Sequence, residues 1–320
     1  MIASLRIGGV DVGPGTTRRL ELTVARLPTG SSMSIPVHVV HGAEPGPTVW
    51  ISAAIHGDEV NGIEVIRRAV KNLDATQLRG TVLAAPVVNV FGFISRSRYL
   101  PDRRDLNRSF PGSADGSLAA QLAHLFMTEI VGRSTHGIDL HTGSLHRANL
   151  PQVRANLDEA ETLRCARAFG TEVVVHAHSR DGSLRQAASQ LGIPCLLYEA
   201  GEPHRFNRTA IDAGVRGVLR MLQTLGMHDA APPPAFATPI EIRKTQWIRA
   251  RRSGVLRLRI RLGDRVQRRQ TIGIIGDAFG EKMSTLRAPF DGLVLGLTRD
   301  PLVHRGDAVA NIAALETGGS

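Results

Sequence analysis

Between residues 35 and 227, short apolar runs rich in Val, Ile and Leu alternate with longer stretches whose apolar residues recur every three or four positions. The runs fall at 35–40, 48–55, 80–90, 137–140, 172–176 and 193–198, and the helical patterns at 60–73, 118–131, 158–169, 183–191 and 209–225. A strand buried on both faces reads as a continuous apolar run, and parallel neighbours need a crossover, usually a helix. The alternation therefore predicts an α/β architecture with a mixed, largely parallel sheet flanked by helices.

The proline-rich stretch 229–239 (DAAPPPAFATP) breaks this pattern and reads as a stiff linker. It divides the chain into residues 1–228 and a β-rich tail, 240–320. The tail contains an internal echo, in which RARRSGVLRL from Arg249 matches RAPFDGLVLG from Arg287, and LGDRVQ from Leu262 matches RGDAVA from Arg305. Two halves with the same order of Gly turns predict a small pseudo-symmetric sandwich. Its layout resembles biotinyl and lipoyl carrier domains, which present a modifiable lysine between the halves, and Lys282 falls in about that place. However, the flanking Met on the N-terminal side of the lysine is missing and the spacing to Ala288-Pro289 differs. Lys282 therefore reads as an ordinary exposed lysine, and the tail as a structural or oligomerisation appendage covering part of the catalytic face.

Composition narrows the function classes. A net charge of +10 is arginine-heavy and dispersed, and aromatic residues at 4% leave little surface for stacking bases. In the densest basic stretch, 243–269, Arg257, Arg259 and Arg261 alternate with Leu and Ile, as on the solvent face of a strand. Neither nucleic acid nor a membrane is expected as a partner. No stretch approaches 18 uninterrupted apolar residues and no leader-like segment opens the chain, so residence is expected to be cytoplasmic. Cys165 and Cys195 are too few for a disulfide framework and read as small buried residues.

Chemistry-bearing residues gather where the apolar runs end. His56 and Glu59 have HxxE spacing directly after the run 48–55, and DLHTG delivers His141 at the end of the run 137–140. Two imidazoles and one carboxylate make a three-ligand set with a fourth position open to water, as a catalytic zinc requires. The competing explanation of the first pair is that Asp58 or Glu59 merely caps the following helix. PCLLYEAGEP supplies Glu199 as a general base, with Glu202 in reserve. In the arginine-rich segment 95–112, Asn107 and Arg108 offer an amide and a guanidinium fork for a carboxylate, and Arg98 could stabilise an oxyanion. Arg180, beside His176 and His178, is a further candidate for substrate contact. The segment 143–154, with His146, Arg147 and Asn149, either shapes the pocket or stabilises its own loop.

The motifs HGDE, DLNRSFPG, DLHTG and LLYEAGEP, in that order, resemble the succinylglutamate desuccinylase and aspartoacylase family of the zinc carboxypeptidase superfamily. The resemblance implies one zinc per chain, bound by His56, Glu59 and His141. It also implies Glu199 as general base and acid, and Asn107 with Arg108 as the anchor of a substrate carboxylate. Arg98 falls near the family's oxyanion-stabilising arginine, with two residues inserted before Asn107. The expected activity is hydrolysis of a small anionic N-acyl amino acid. Rival readings are a metallo-carboxypeptidase acting on short peptides and an inactive carrier protein using the tail. For oligomeric state, a homodimer is the commonest default.

Overall fold

The computed structural model describes residues 3–229 and 238–315. Most of the proline-rich stretch lies outside the described residues. The first part of the chain runs β1 (Leu5–Ile7), β2 (Val10–Val12), β3 (Thr16–Arg26), β4 (Ser32–His41), β5 (Glu44–Ala53), α1 (Asn61–Lys71), β6 (Arg79–Ala85), α2 (Val90–Ser95), α3 (Leu118–Glu129), β7 (His136–His141), β8 (Arg147–Ala155), α4 (Ala160–Phe169), β9 (Val173–His176), α5 (Leu184–Gln190), β10 (Cys195–Gly201) and α6 (Arg208–Thr224). The C-terminal part is all β: β11 (Ile240–Ile242), β12 (Thr245–Arg249), β13 (Gly254–Leu258), β14 (Arg265–Val266), β15 (Thr271–Gly276), β16 (Ser284–Arg287), β17 (Gly292–Thr298), β18 (Leu302–Val303) and β19 (Ala308–Ala314).

The centre of the large sheet is parallel. Strand β5 pairs in parallel with β6 and β7, and β7 with β10. These strands are apolar on both faces because helices cover both: α1, α4 and α6 pack over one core, α3 and α5 over the other. Side-chain caps fix where helices start. Ser117, Ser183 and Asn207 accept the backbone N–H groups of Ala120, Gln186 and Ala210, which matches the expected boundaries to within two residues for α3, α5 and α6.

Three expectations need correction. The run 80–90 is not one strand: β6 stops at Ala85, before Pro86, and Asn89 caps α2 by accepting the N–H of Gly92. The sheet also extends beyond the expected runs: the run 35–40 is strand β4, as expected, but it pairs antiparallel with β6 and with a further strand, β3, which buries only Leu20 and Leu22 and so carries a weak apolar signal. Finally, 147–155 is strand β8 rather than a loop, seated between β10 and β17 although it contains Pro151.

The C-terminal strands continue this sheet. β17 pairs with β8, β19 with β17, β12 with β19, and β11 with β9. A second sheet, β16-β15-β13-β18, closes over a separate apolar core. The sequence echo has a structural counterpart. Ala250 exchanges backbone hydrogen bonds with Gly306 and Asp307, and its repeat partner Ala288 does so with Arg269 and Gln270. Arg257, Arg259 and Arg261 are exposed, as their alternation predicted, and Lys282 is exposed between β15 and β16. Among the described residues no helix is long and apolar enough to cross a membrane.

Candidate active site

In a sheet of parallel strands, ligands bind beyond the carboxyl ends. Here those ends are Ala53, His141 and Gly201 of β5, β7 and β10. His56 and Glu59 sit in the tight turn that joins β5 to α1, where the N–H of Glu59 donates to the carbonyl of His56 at 3.1 Å. Gly57 makes the turn possible, since a Cβ there would stand 1.9 Å from the backbone carbon of Gly92.

Both imidazoles converge on Glu59. His56 Nδ1 lies 2.8 Å from Glu59 Oε1, and His141 Nδ1 lies 2.8 Å from Glu59 Oε2. The N–H of Thr142 also donates to Oε2, at 2.9 Å. The helix-capping alternative fails, because the N-terminus of α1 has no side-chain cap. The far nitrogen of each ring is held by a carboxylate: His56 Nε2 is 3.1 Å from Asp105, and His141 Nε2 is 2.8 Å from Asp139. Ser52 in turn donates to Asp139 at 2.8 Å. All three candidate ligands are buried, and their donor atoms lie within 4.8 Å of one another.

Negative charge crowds this cluster. Glu59 and Asp105 share the guanidinium of Arg98, which donates to Asp105 at 2.8 Å and to Glu59 at 3.4 Å, and Asp139 lies in the field of the Arg185 guanidinium. The two imidazoles thus stand among three carboxylates. Accordingly, burial pushes the His56 and His141 pKa values down, but the adjacent carboxylates outweigh it and leave both raised, His141 well above its usual range. Burial likewise works against the charges of Glu59 and Asp105, yet the imidazoles around them hold both carboxyls well below the ordinary range. Each ring thus offers Nδ1 to a metal while a carboxylate fixes its other nitrogen, the arrangement that orients metal-bound histidines.

Glu199 reaches the same place from the neighbouring strand. It pairs in register with His141 across β10 and β7, and alternation puts both side chains on one face. It is not a solvated loop residue: its side chain is 15% exposed, accepts a hydrogen bond from Asn149 Nδ2, and faces Arg154 Nη1 at 3.7 Å. A single cavity of about 310 Å³ is lined by His56, Glu59, His141, Glu199, Arg98, Asn107, Arg108 and Arg180. Glu202 lies outside it, 3.3 Å from Arg299.

The polar segment is organised from within. Asp105 accepts the N–H of Asn107 at 2.9 Å and starts a 3-10 turn, Leu106–Arg108. Asn107 Oδ1 accepts the N–H of Leu184 at 2.9 Å, tying this turn to α5. Sequence reasoning missed Asp105 and Asp139 as partners of the histidines. The available signal was a carboxylate two residues before His141 and another two before Asn107. It also missed Trp247 and Thr245, which bring β12 to the cavity wall, with Arg147 stacked over the Trp247 ring at 5.1 Å. Nothing in the tail's own sequence marks which of its residues meet the distant cavity.

A family model described as the succinylglutamate desuccinylase/aspartoacylase catalytic domain matches residues 45–225, more than half of the chain. The chain belongs to the succinylglutamate desuccinylase/aspartoacylase family. It is 28% identical over 295 residues to N-alpha-acetyl-L-2,4-diaminobutyric acid deacetylase of Halomonas elongata, covering 88% of this chain and 86% of the relative. Among solved structures, a succinylglutamate desuccinylase/aspartoacylase from Rhodobacter sphaeroides is 27% identical with a TM-score of 0.86, covering 98% of this chain and 100% of that one. A product-bound ectoine utilization protein from Ruegeria pomeroyi, 22% identical with a TM-score of 0.84 over 93% of this chain and 95% of that one, shares the fold. The match to the first of these structures spans the C-terminal strands as well as the α/β part, so the family fold includes both.

Proposed function

We propose that this protein is a zinc-dependent amidohydrolase that removes the acyl group from a small anionic N-acyl amino acid, giving a carboxylate and a free amino acid. The observation that carries the reading is the convergence of His56, Glu59, His141 and Glu199 on one cavity. The Halomonas relative, whose name describes deacetylation of an N-acetyl amino acid, supports the same class of reaction.

Zinc held by His56, Glu59 and His141 would supply Lewis acidity and bring the pKa of a water near 7. Glu199 takes a proton from the attacking water on one carboxylate oxygen and delivers it to the amide nitrogen as the C–N bond breaks, so water divides between the carboxylate and amine products. Arg98, clamped by Asp105 and Glu59, presents its remaining N–H groups to the oxyanion. Asn107 has its oxygen committed to Leu184, which leaves its amide N–H groups, with the exposed guanidinium of Arg108, to hold the substrate carboxylate. Arg180 lines the same cavity from the segment after β9 and is assigned to substrate contact.

The test is a panel of acetyl, succinyl and formyl amino acids beside short peptides, assayed with wild type and Glu199→Gln. Wild type is expected to cleave N-acyl amino acids and leave peptides intact. Glu199→Gln is expected to keep its zinc and lose about 100-fold or more in turnover. Cleavage of peptides alone would replace the deacylase reading with a carboxypeptidase one, and full turnover in the variant would remove Glu199 from the reaction.

A further inference from the structure

Glu199 is held from one side by Asn149, and Asn149 is held in turn from the C-terminal strands. Strand β8, which carries Asn149, lies between β10 and β17. On one side Asn149 registers with Gly201, across an irregularity that separates it from the Glu199 to Gln152 pair. On the other it registers with Gly296 of β17. The Asn149 amide donates Nδ2 to Glu199 Oε2, and its Oδ1 projects over Gly296. A Cβ built on Gly296 would stand 2.9 Å from that oxygen and 3.4 Å from the Trp247 ring. Gly296 is not among the residues with positive φ, so its backbone does not require glycine. What requires it is room for the Asn149 side chain.

We infer that Asn149 is a positioning residue for Glu199, and that Gly296 of the C-terminal strands sets the Asn149 amide. The tail is then a working part of the reaction centre, because it fixes the orientation of the carboxylate that handles the proton. Arg154 alone, at 3.7 Å from Oε1, is too distant for a hydrogen bond and leaves rotation of the carboxylate open. This inference rests on the reading of Glu199 as the general base.

The experiment is a double-mutant cycle on the full chain with Asn149→Ala, Gly296→Ala and the pair, measuring kcat, KM, zinc content and unfolding in denaturant. A hydrogen bond to a charged group leads us to expect a roughly 10- to 100-fold fall in kcat for Asn149→Ala, with KM and zinc content near wild type. Gly296→Ala is expected to lower kcat in the same way. The pair is expected to be no worse than Asn149→Ala alone, because truncating the amide makes room for the new methyl. If Gly296→Ala fails to fold, the inference requires Asn149→Ala to restore soluble protein in the pair. Additive losses, absence of that rescue, or unchanged kcat in Asn149→Ala would overturn it. The unfolding cycle reads the Asn149 to Gly296 coupling without any substrate, so a wild type inactive on every N-acyl amino acid would defeat the deacylase reading while the coupling was still decided.

Discussion

Asp139 offers a sharp test of how the candidate metal site is built. It is buried, 1% exposed, and has two partners: its Oδ1 accepts from Ser52 and its Oδ2 faces His141 Nε2. In Asp139→Asn the amide can turn its oxygen to His141 and donate its N–H to the Ser52 hydroxyl, so both contacts survive and only the charge is lost. Removing a carboxylate that orients a metal-bound histidine costs about 10- to 100-fold in affinity, or about 1.4 to 2.8 kcal/mol at 1.4 kcal/mol per factor of ten. The loss should depend on pH with a definite sign. Burial lowers the His141 pKa, but Asp139 and Glu59 raise it well above the usual imidazole value, so in the wild type a proton competes with the metal up to that raised pKa. Asp139→Asn weakens this proton competition along with metal binding. Its deficit is therefore smallest below the raised pKa and grows as pH rises through it. Asp139→Ala goes further, since it leaves His141 Nε2 and the Ser52 hydroxyl buried without partners, at about 1–3 kcal/mol each. Competition for zinc against a chromophoric chelator at several pH values measures the series. Wild-type affinity in Asp139→Asn at every pH would refute the reasoning.

Two further outcomes follow from burial and close packing. Gly57→Ala would press a methyl into the backbone of Gly92 and Phe93, with destabilisation of about 1–3 kcal/mol, and would shift the turn that carries His56 and Glu59; denaturant unfolding and zinc affinity should both register it. Burial pushes the Cys165 thiol up to about 12 and raises Cys195 as well, so at pH 8 only about one Cys165 in 10⁴ is thiolate. Ellman's reagent should therefore leave the native protein untouched at pH 8 and titrate two thiols once the chain is unfolded, and rapid labelling of the native protein would contradict the packing.

The α/β core was legible in the sequence because burial on both faces writes itself as uninterrupted apolar runs such as Val49 to Ala53, and because helical periodicity fills the stretches between them. The clustering of His56, Glu59 and His141 was legible for a related reason: they stand at or just after the ends of such runs. Strands β3 and β8 were not legible. In β3 most side chains face solvent, and in β8 Arg147, Asn149, Pro151 and Arg154 are unlike a buried strand; its place is set by pairing with β10 and β17, which are distant in sequence. The same distance hid Trp247 and Gly296. Their role depends on which surface of the tail meets the cavity, and that contact has no local signature. Glu199 was placed at a strand tip, whereas β10 runs on to Gly201 and carries it as a half-buried strand residue in register with His141.

The central claim is that His56, Glu59 and His141 share one ion on which turnover depends. Elemental analysis of the purified full chain, before and after exhaustive chelation and with hydrolysis of an N-acyl amino acid followed in parallel, tests it most directly. The expected result is one zinc per chain, lost together with activity, both restored by added zinc, and neither restored in His141→Ala. Undiminished hydrolysis by the chelated, metal-free chain would contradict it.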